Sequence, residues 1–102
     1  MQRDSQLLGL ADLARLVNQH DLVARLLGAT EAATEAIRLP LQPNDRRDYD
    51  RLFAEAQAHL EEARFSTALE EGRTQPYEQI VAEALSLIEE CLARNAEALR
   101  AN

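Results

Sequence analysis

Few side chains in this sequence have the type and spacing that chemistry requires. The two histidines are His20 and His59, and neither belongs to an HxxxH or ExxH pattern. Metal ligation needs three or four convergent groups, and no such set accompanies either ring. We therefore predict that both histidines are structural or exposed to solvent.

Cys91 is the only cysteine, and it falls on the apolar face of the last predicted helix. A reactive thiolate needs an electropositive setting and a partner base, whereas Glu89 and Glu90 supply negative charge. We predict that Cys91 is a small buried hydrophobe. A lone cysteine forms no internal disulfide, which fits a reducing cytoplasm.

Two adjacent acid pairs flank a short predicted helix: Glu61 with Glu62, and Glu70 with Glu71. Paired carboxylates can act as acid and base when they are buried. Adjacent helical residues diverge by about 100°, so these pairs are predicted to face water. The sequence thus predicts no catalytic, metal or cofactor residues, and a protein that is not an enzyme.

The charge balance limits the classes of partner. Eighteen acids stand against eleven bases, all of them arginine, for a net charge of −7. A protein that binds a phosphate backbone or an anionic membrane surface needs a basic face. No apolar run approaches the roughly 20 residues of a membrane span, and no signal-peptide core follows the first residues. We expect a cytoplasmic protein without direct nucleic-acid or membrane contact.

The apolar periodicity predicts one all-α domain over residues 1–102, made of antiparallel helical hairpins with about five helices. The first hairpin covers residues 5–38: Asp4 or Ser5 caps its first helix, and Asn18 ends that helix in the left-handed conformation. Asp21 is predicted to cap the second helix. A proline loop covers residues 39–43, and the remaining helices cover 44–99, beginning with Asn44 or Asp45 as a cap.

A corner lies between the last two helices. Gly72 is predicted to end a short helix over residues 65–71 in the left-handed conformation, with Arg73 over the last carbonyl groups. Thr74 would then cap the next helix, and Pro76 would occupy its first turn. The corner imitates a helix-turn-helix, but the glutamates of its second helix would repel DNA phosphates.

Two further features predict contacts between elements. Gly9 and Gly28 lie inside helices, so we expect helices one and two to cross closely there, with a peptide-groove floor as the alternative. The fifth helix carries apolar residues over more than one face, which predicts burial on two sides or a partner. These residues are Ile80, Val81, Ala84, Leu85, Leu87, Ile88, Cys91 and Leu92.

Two segments resemble a known family. Residues 7–37 resemble a tetratricopeptide-like hairpin, with Asn18 where the repeat often has a turn glycine and Val23 where it has a small residue. Residues 43–85 follow with a tyrosine helix, a short phenylalanine helix, a Gly-Arg corner and a final helix. Together with the ARLLGA stretch at 24–29, they look like the C-terminal tetratricopeptide-like region of bacterial LuxR-type and adenylate-cyclase-linked ATP-dependent transcriptional regulators, which are signal-transduction ATPases.

The resemblance covers residues 6–88 and implies a scaffold without chemistry. The chain has no phosphate-binding loop and no LuxR-type DNA-binding domain after Leu99, and the family's frequent tryptophan is replaced near Leu69. The chain therefore looks like an excised domain or a stand-alone relative. The resemblance implies a protein–protein interaction module whose partner is another protein or the other domains of a larger regulator.

Two alternative functions remain open. A cavity near Tyr49, Phe53 and Phe65 could hold a small inducer, which predicts a ligand-sensing domain. The wide apolar surface of the fifth helix could instead support self-association, which predicts a homodimer through that helix.

Overall fold

A computed structural model of the chain describes residues 3–100, with side-chain surroundings for residues 6–97. This part of the chain contains five α-helices and no strand, so the predicted all-α class is confirmed. The helices are α1 (Arg3–Leu16), α2 (His20–Ile37), α3 (Pro43–His59), α4 (Glu62–Thr74) and α5 (Tyr77–Arg100). Asp4 and Ser5 lie inside α1, and their predicted capping side chains fall outside the described side chains.

The central element is α2, which packs against each of the other four helices. Its residues between Leu22 and Thr30 are buried on all sides, apart from the half-buried Arg25. A helix that is apolar all round is expected at the centre of a bundle. The largest fully buried apolar side chains form the core around it: Leu7, Leu22, Val23, Leu26, Leu27, Leu52 and Ile80.

The closest crossing joins α2 to α4, and it depends on two glycines. A Cβ atom added to Gly28 would overlap the Leu69 carbonyl oxygen of α4, and one added to Gly72 would overlap the Arg25 carbonyl oxygen of α2. The prediction that Gly28 receives helix one is wrong, because its face meets α4. Gly9 is exposed and has no atom within 4 Å of a Cβ position, so it receives no helix at all.

The conformation predicted for Gly72 is also wrong. No glycine of the described chain has positive φ, and Gly72 lies inside α4, which continues to Thr74. Glycine occurs here because the backbone of α2 leaves no room for a side chain. Thr74 does not cap α5, since its hydroxyl lies 3.3 and 3.2 Å from the carbonyl oxygens of Glu70 and Glu71.

The helix starts differ from those predicted. Asp21 lies in the first turn of α2, where its carboxylate accepts a hydrogen bond from Arg64 of α4 instead of capping the helix. Pro43 is the first residue of α3, so the predicted caps Asn44 and Asp45 lie inside the helix, one and two residues after its start. The left-handed conformation of Asn18, with φ of 62°, is confirmed.

Polar side chains connect α5 to α2 at the centre of the bundle by hydrogen bonds. Arg25 of α2 donates hydrogen bonds to Gln75, at 2.7 Å, and to the Glu83 carboxylate. Gln75 also donates to Glu83 at 2.8 Å. The hydrogen bonds from Gln75 and then from Arg25 lower the pKa of Glu83 to about 2, so this carboxylate stays charged and paired near neutral pH.

Candidate functional site

An open cleft of about 800 Å³ lies between the second half of α2, the segment 38–42 and the first half of α3. This volume falls within the range of about 300–1,000 Å³ that is usual for small-molecule sites. Tyr49 and Phe53 supply aromatic surface, and Leu41 lies beside them. Leu39 lines the cleft as well, although 62 % of its surface is exposed.

The cleft exists because the helix pattern is interrupted twice. Arg38 ends α2 in the left-handed conformation, with φ of 56°, and its N–H donates to the Glu35 carbonyl oxygen at 3.2 Å. Pro40 and Pro43 then keep residues 39–42 out of a helix. The segment turns away from α2 and leaves the cleft open towards α3.

A carboxylate network forms the polar wall of the cleft. Glu31 accepts hydrogen bonds from the Tyr49 hydroxyl and from Arg73 Nη1, the latter at 2.8 Å. Arg73 Nη2 also donates to Glu35 at 2.6 Å. Arg73 therefore joins α4 to α2, and the prediction that it covers the last carbonyls of its own helix is wrong. Burial and then the bond to Glu31 raise the pKa of Tyr49, so its phenol stays a neutral donor.

The remaining polar groups of the cleft differ in how fully they are paired. Thr30 and Thr34 donate to backbone carbonyl oxygens of their own helix, at 2.9 and 2.8 Å. Arg46 pairs through Nε with Asp50 at 3.3 Å and lies over the Tyr49 ring, 5.7 Å from its centroid. Arg38 lines the cleft, but its guanidinium makes no hydrogen bond or ion pair within residues 6–97.

A cleft lies where the sequence predicted a cavity, and two of the three predicted aromatic residues line it. Tyr49 and Phe53 line the cleft, whereas Phe65 lies behind Phe53 with only 4 % of its surface exposed. The rings of Phe53 and Phe65 pack edge to face, with centroids 4.9 Å apart. Phe65 therefore supports the wall of the cleft from the core and does not reach its interior.

A second surface lies on the outer side of α5. Leu85 and Leu92 are 45 % and 54 % exposed and stand seven residues apart, so they share one face of the helix. Glu78 and Glu89 lie on the same face of the helix, at helical spacing from these leucines. Both glutamates are exposed without an ion pair in the described part of the chain. The predicted width of the apolar face is confirmed, and its outer part is not covered by residues 6–97.

Contacts at two points align α1 beside α5. The Tyr77 hydroxyl donates to Gln6 near the start of α1, and Gln19 donates to the Cys91 sulfur at 3.4 Å just beyond its end. The exposed Leu16, three residues before Gln19, therefore lies at the same end of the molecule as Leu92. Leu13 and Leu16 of α1 are 45 % and 61 % exposed, so they lie outside the buried face of that helix.

The two histidines, which are 39 residues apart in sequence, meet in the structure. The rings of His20 and His59 are stacked with centroids 4.1 Å apart and an angle of 6° between their planes. His20 Nδ1 is buried without a hydrogen-bond partner. Burial and then the neighbouring His59 lower the pKa of His20, while Glu55 and Asp21 oppose this shift.

We expect the histidine stack to make stability depend on pH. Because the folded state holds the pKa of His20 below its unfolded value of about 6.5, the unfolded state binds more protons as the pH falls through that value. The melting temperature should therefore fall between about pH 7 and pH 5. Replacing His20 with Gln should flatten this slope, as measured by thermal unfolding monitored by circular dichroism.

The control for this prediction is His59→Gln. It removes the charge repulsion but leaves the burial of His20, so it should flatten the slope less than His20→Gln does. Equal slopes in the parent protein and in His20→Gln would show that the stack does not control the pH response.

The remaining predicted groups are separated from one another. Cys91 is buried, as predicted, and the four glutamates of the two acid pairs, at 61, 62, 70 and 71, are all exposed, as predicted. Within residues 6–97, no three His, Cys, Asp or Glu side chains are grouped so that they could hold a metal ion. No helix of the described chain is long and apolar enough to cross a bilayer.

The arginine–carboxylate wall of the cleft was not predicted from the sequence. The spacing of Glu31 and Glu35 could have indicated it. Residues four apart share one helical face, and two carboxylates there favour a cation on the facing element. The position of that cation on α4 depended on the α2–α4 crossing.

A comparison of the chain with protein-family models, curated proteins and solved structures found no match.

Proposed function

We propose that the chain is a non-enzymatic protein–protein interaction module of a bacterial regulatory protein, acting in the cytoplasm. The observation that carries the proposal is the outer face of α5, where exposed leucines lie beside unpaired glutamates. The resemblance to the tetratricopeptide-like end of LuxR-type regulators supports it, as does the helical architecture, which we interpret as antiparallel hairpins. In this proposal the partner is another protein or other domains of a larger regulator.

The chemistry of the α5 face indicates the kind of partner. Leu85 and Leu92 offer apolar area that a partner could bury, at roughly 25 cal/mol per Å². Within residues 6–97, no arginine forms an ion pair with Glu78 or Glu89 beside them. A basic amphipathic helix, with apolar residues at i and i+7 flanked by Arg or Lys, is complementary in both respects.

We expect a synthetic helical peptide of that pattern to bind the α5 face, as measured by fluorescence anisotropy. The double variant Leu85→Asp/Leu92→Asp should weaken binding more than about tenfold, because the apolar anchors are lost and two negative charges enter the contact. The matched control is Leu39→Asp, which changes an equally exposed leucine outside this face and should leave binding unchanged. A peptide with Glu in place of its basic residues should not bind.

Four results would contradict the proposal. Equal binding by the basic and the acidic peptide would remove the charge argument, and equal affinity in the Leu85/Leu92 and Leu39 variants would place the contact elsewhere. Hydrolysis of a generic ester or phosphate, abolished by a Glu or His substitution, would show an enzyme. Concentration-dependent association that Leu85→Asp/Leu92→Asp abolishes would favour the alternative of a homodimer through the last helix.

A second candidate function is the sensing of a small ligand. The α2–α3 cleft favours it, because its volume suits a small molecule and two aromatic side chains line it. The two candidates use different surfaces, so variants of one surface leave the other intact.

A further inference from the structure

Each charged side chain that lines the α2–α3 cleft has a direct ion-pair partner within residues 6–97, except one. Glu31 and Glu35 share Arg73, and Asp50 pairs with Arg46. Every carboxylate that lines the cleft, whether half-buried like Glu31 or exposed like Glu35 and Asp50, therefore already has a direct partner. The guanidinium of Arg38 is the unpaired charge among the residues that line the cleft.

The apolar part of the cleft lies close to this unpaired cation. Phe53 and Leu41, which are partly exposed, supply a surface on which a flat or branched apolar body can lie, and Tyr49, only 8 % exposed, adds a smaller part of the lining. Leu39 and Pro40 follow Arg38 directly in sequence and line the same opening. The cleft therefore offers an apolar wall and, besides the paired Arg46, one unpaired guanidinium with five hydrogen-bond donors among its described lining residues.

We propose that this cleft binds a small amphipathic carboxylate, whose apolar body lies on Tyr49 and Phe53 and whose carboxylate pairs with Arg38. The proposal deepens the second candidate function and does not depend on the α5 face. Planar carboxylates suit the two-pronged guanidinium of arginine, which donates two parallel hydrogen bonds to them.

The acids of the cleft limit the charge of the ligand. Glu31, Glu35 and Asp50 line the cleft beside the binding position, and the whole chain carries a net charge of −7. A phosphate monoester or a polyphosphate would bring two or more negative charges against these carboxylates, and Arg38 is the single unpaired cation among the described residues that line the cleft. A monocarboxylate brings one charge, which Arg38 neutralises.

The test uses 2-naphthoate as the carboxylate probe and 2-naphthamide as its neutral counterpart of the same shape. Binding to the full chain is followed by two-dimensional amide NMR with each probe raised to about 10 mM. We expect saturable shifts for naphthoate at the cleft, with affinity at least about tenfold above that of the amide, because the ion pair requires the charge. Arg38→Gln should reduce the naphthoate affinity to that of the amide.

The matched control is Arg47→Gln, which removes an exposed arginine that does not line the cleft. It makes the same change in net charge and should leave naphthoate affinity unchanged. Equal losses in Arg38→Gln and Arg47→Gln would overturn the proposal, because they would reflect the overall field of the protein. Equal binding of naphthoate and naphthamide, or no saturable shift at the cleft, would overturn it too.

Two further measurements distinguish this proposal from binding of a peptide C-terminus and from binding at the α5 face. An acetylated peptide that ends in a leucine carboxylate would overturn the small-molecule assignment if it bound more tightly than naphthoate, since the site would then recognise a chain terminus. Leu85→Asp/Leu92→Asp should bind naphthoate like the parent protein. Loss of peptide binding at α5 with naphthoate binding intact would therefore leave the cleft proposal standing by itself.

Discussion

Replacing Gly28 or Gly72 with alanine should lower the free energy of unfolding by at least about 3 kcal/mol, close to the upper range for overpacked cores. The new Cβ would overlap the Leu69 carbonyl oxygen in the first variant and the Arg25 carbonyl oxygen in the second. Both obstacles are backbone atoms of regular helices, which cannot turn aside as a flexible side chain could. The helices α2 and α4 would have to separate, and Gly72→Val should be worse still.

The third glycine provides the control. Gly9 is exposed on α1 with no atom within 4 Å of a Cβ position, so Gly9→Ala meets only the helical preference for alanine. It should be neutral or should stabilise by up to about 1 kcal/mol. Urea unfolding of the three alanine variants measures the difference. Similar stabilities for all three would show that α2 and α4 do not cross at their glycines.

The second large effect is expected at Phe65. Its ring is 4 % exposed and packs edge to face against Phe53, with centroids 4.9 Å apart. Phe65→Ala should lower the free energy of unfolding by about 3–5 kcal/mol, because a cavity would form between α3 and α4 and the ring contact would be lost. Thermal and urea unfolding would measure this loss, which is a large part of the 5–15 kcal/mol typical of a domain.

Leu92→Ala is the matched control for the removal of a large apolar side chain. Leu92 is 54 % exposed on α5, so its truncation should change the free energy of unfolding by less than about 0.5 kcal/mol. A milder Phe65→Leu variant should fall between the two and should still let Phe53 move, which alters the cleft wall. If Phe65→Ala and Leu92→Ala were equally stable, Phe65 could not support Phe53 from the core.

The helices and their breaks follow from local patterns, and these predictions hold in the structure. The apolar spacing predicted five helices, and Asn18 ends α1 with positive φ as expected for a residue tolerant of the left-handed conformation. The prolines of residues 39–43 interrupt the chain between α2 and α3, although Pro43 itself begins α3. Local steric rules act over a few residues, so they can be read without knowing the fold.

The predictions for single polar side chains were less successful, for a common reason. Asp21, Arg73 and Thr74 were each assigned to the nearest helix end, because capping is a local interaction. In the structure Asp21 and Arg73 instead bind side chains of α4 and α2. Partners that are about 40 residues distant are brought into reach only by packing, and charge-assisted pairs between helices then compete with local caps.

Gly72 shows most clearly which properties follow from local sequence and which depend on packing. Apolar spacing and helix geometry are enough to predict a helical chain whose acid pairs face water, because both act over a few residues. The reason for a glycine at position 72 depends on packing between helices: Gly72 lies inside α4 without positive φ, where the α2 backbone comes too close for a side chain. That crossing also brings Arg73 to Glu31 and so completes the polar wall of the cleft. Periodicity identifies the buried face of a helix, but the choice of the neighbour depends on close packing among all five.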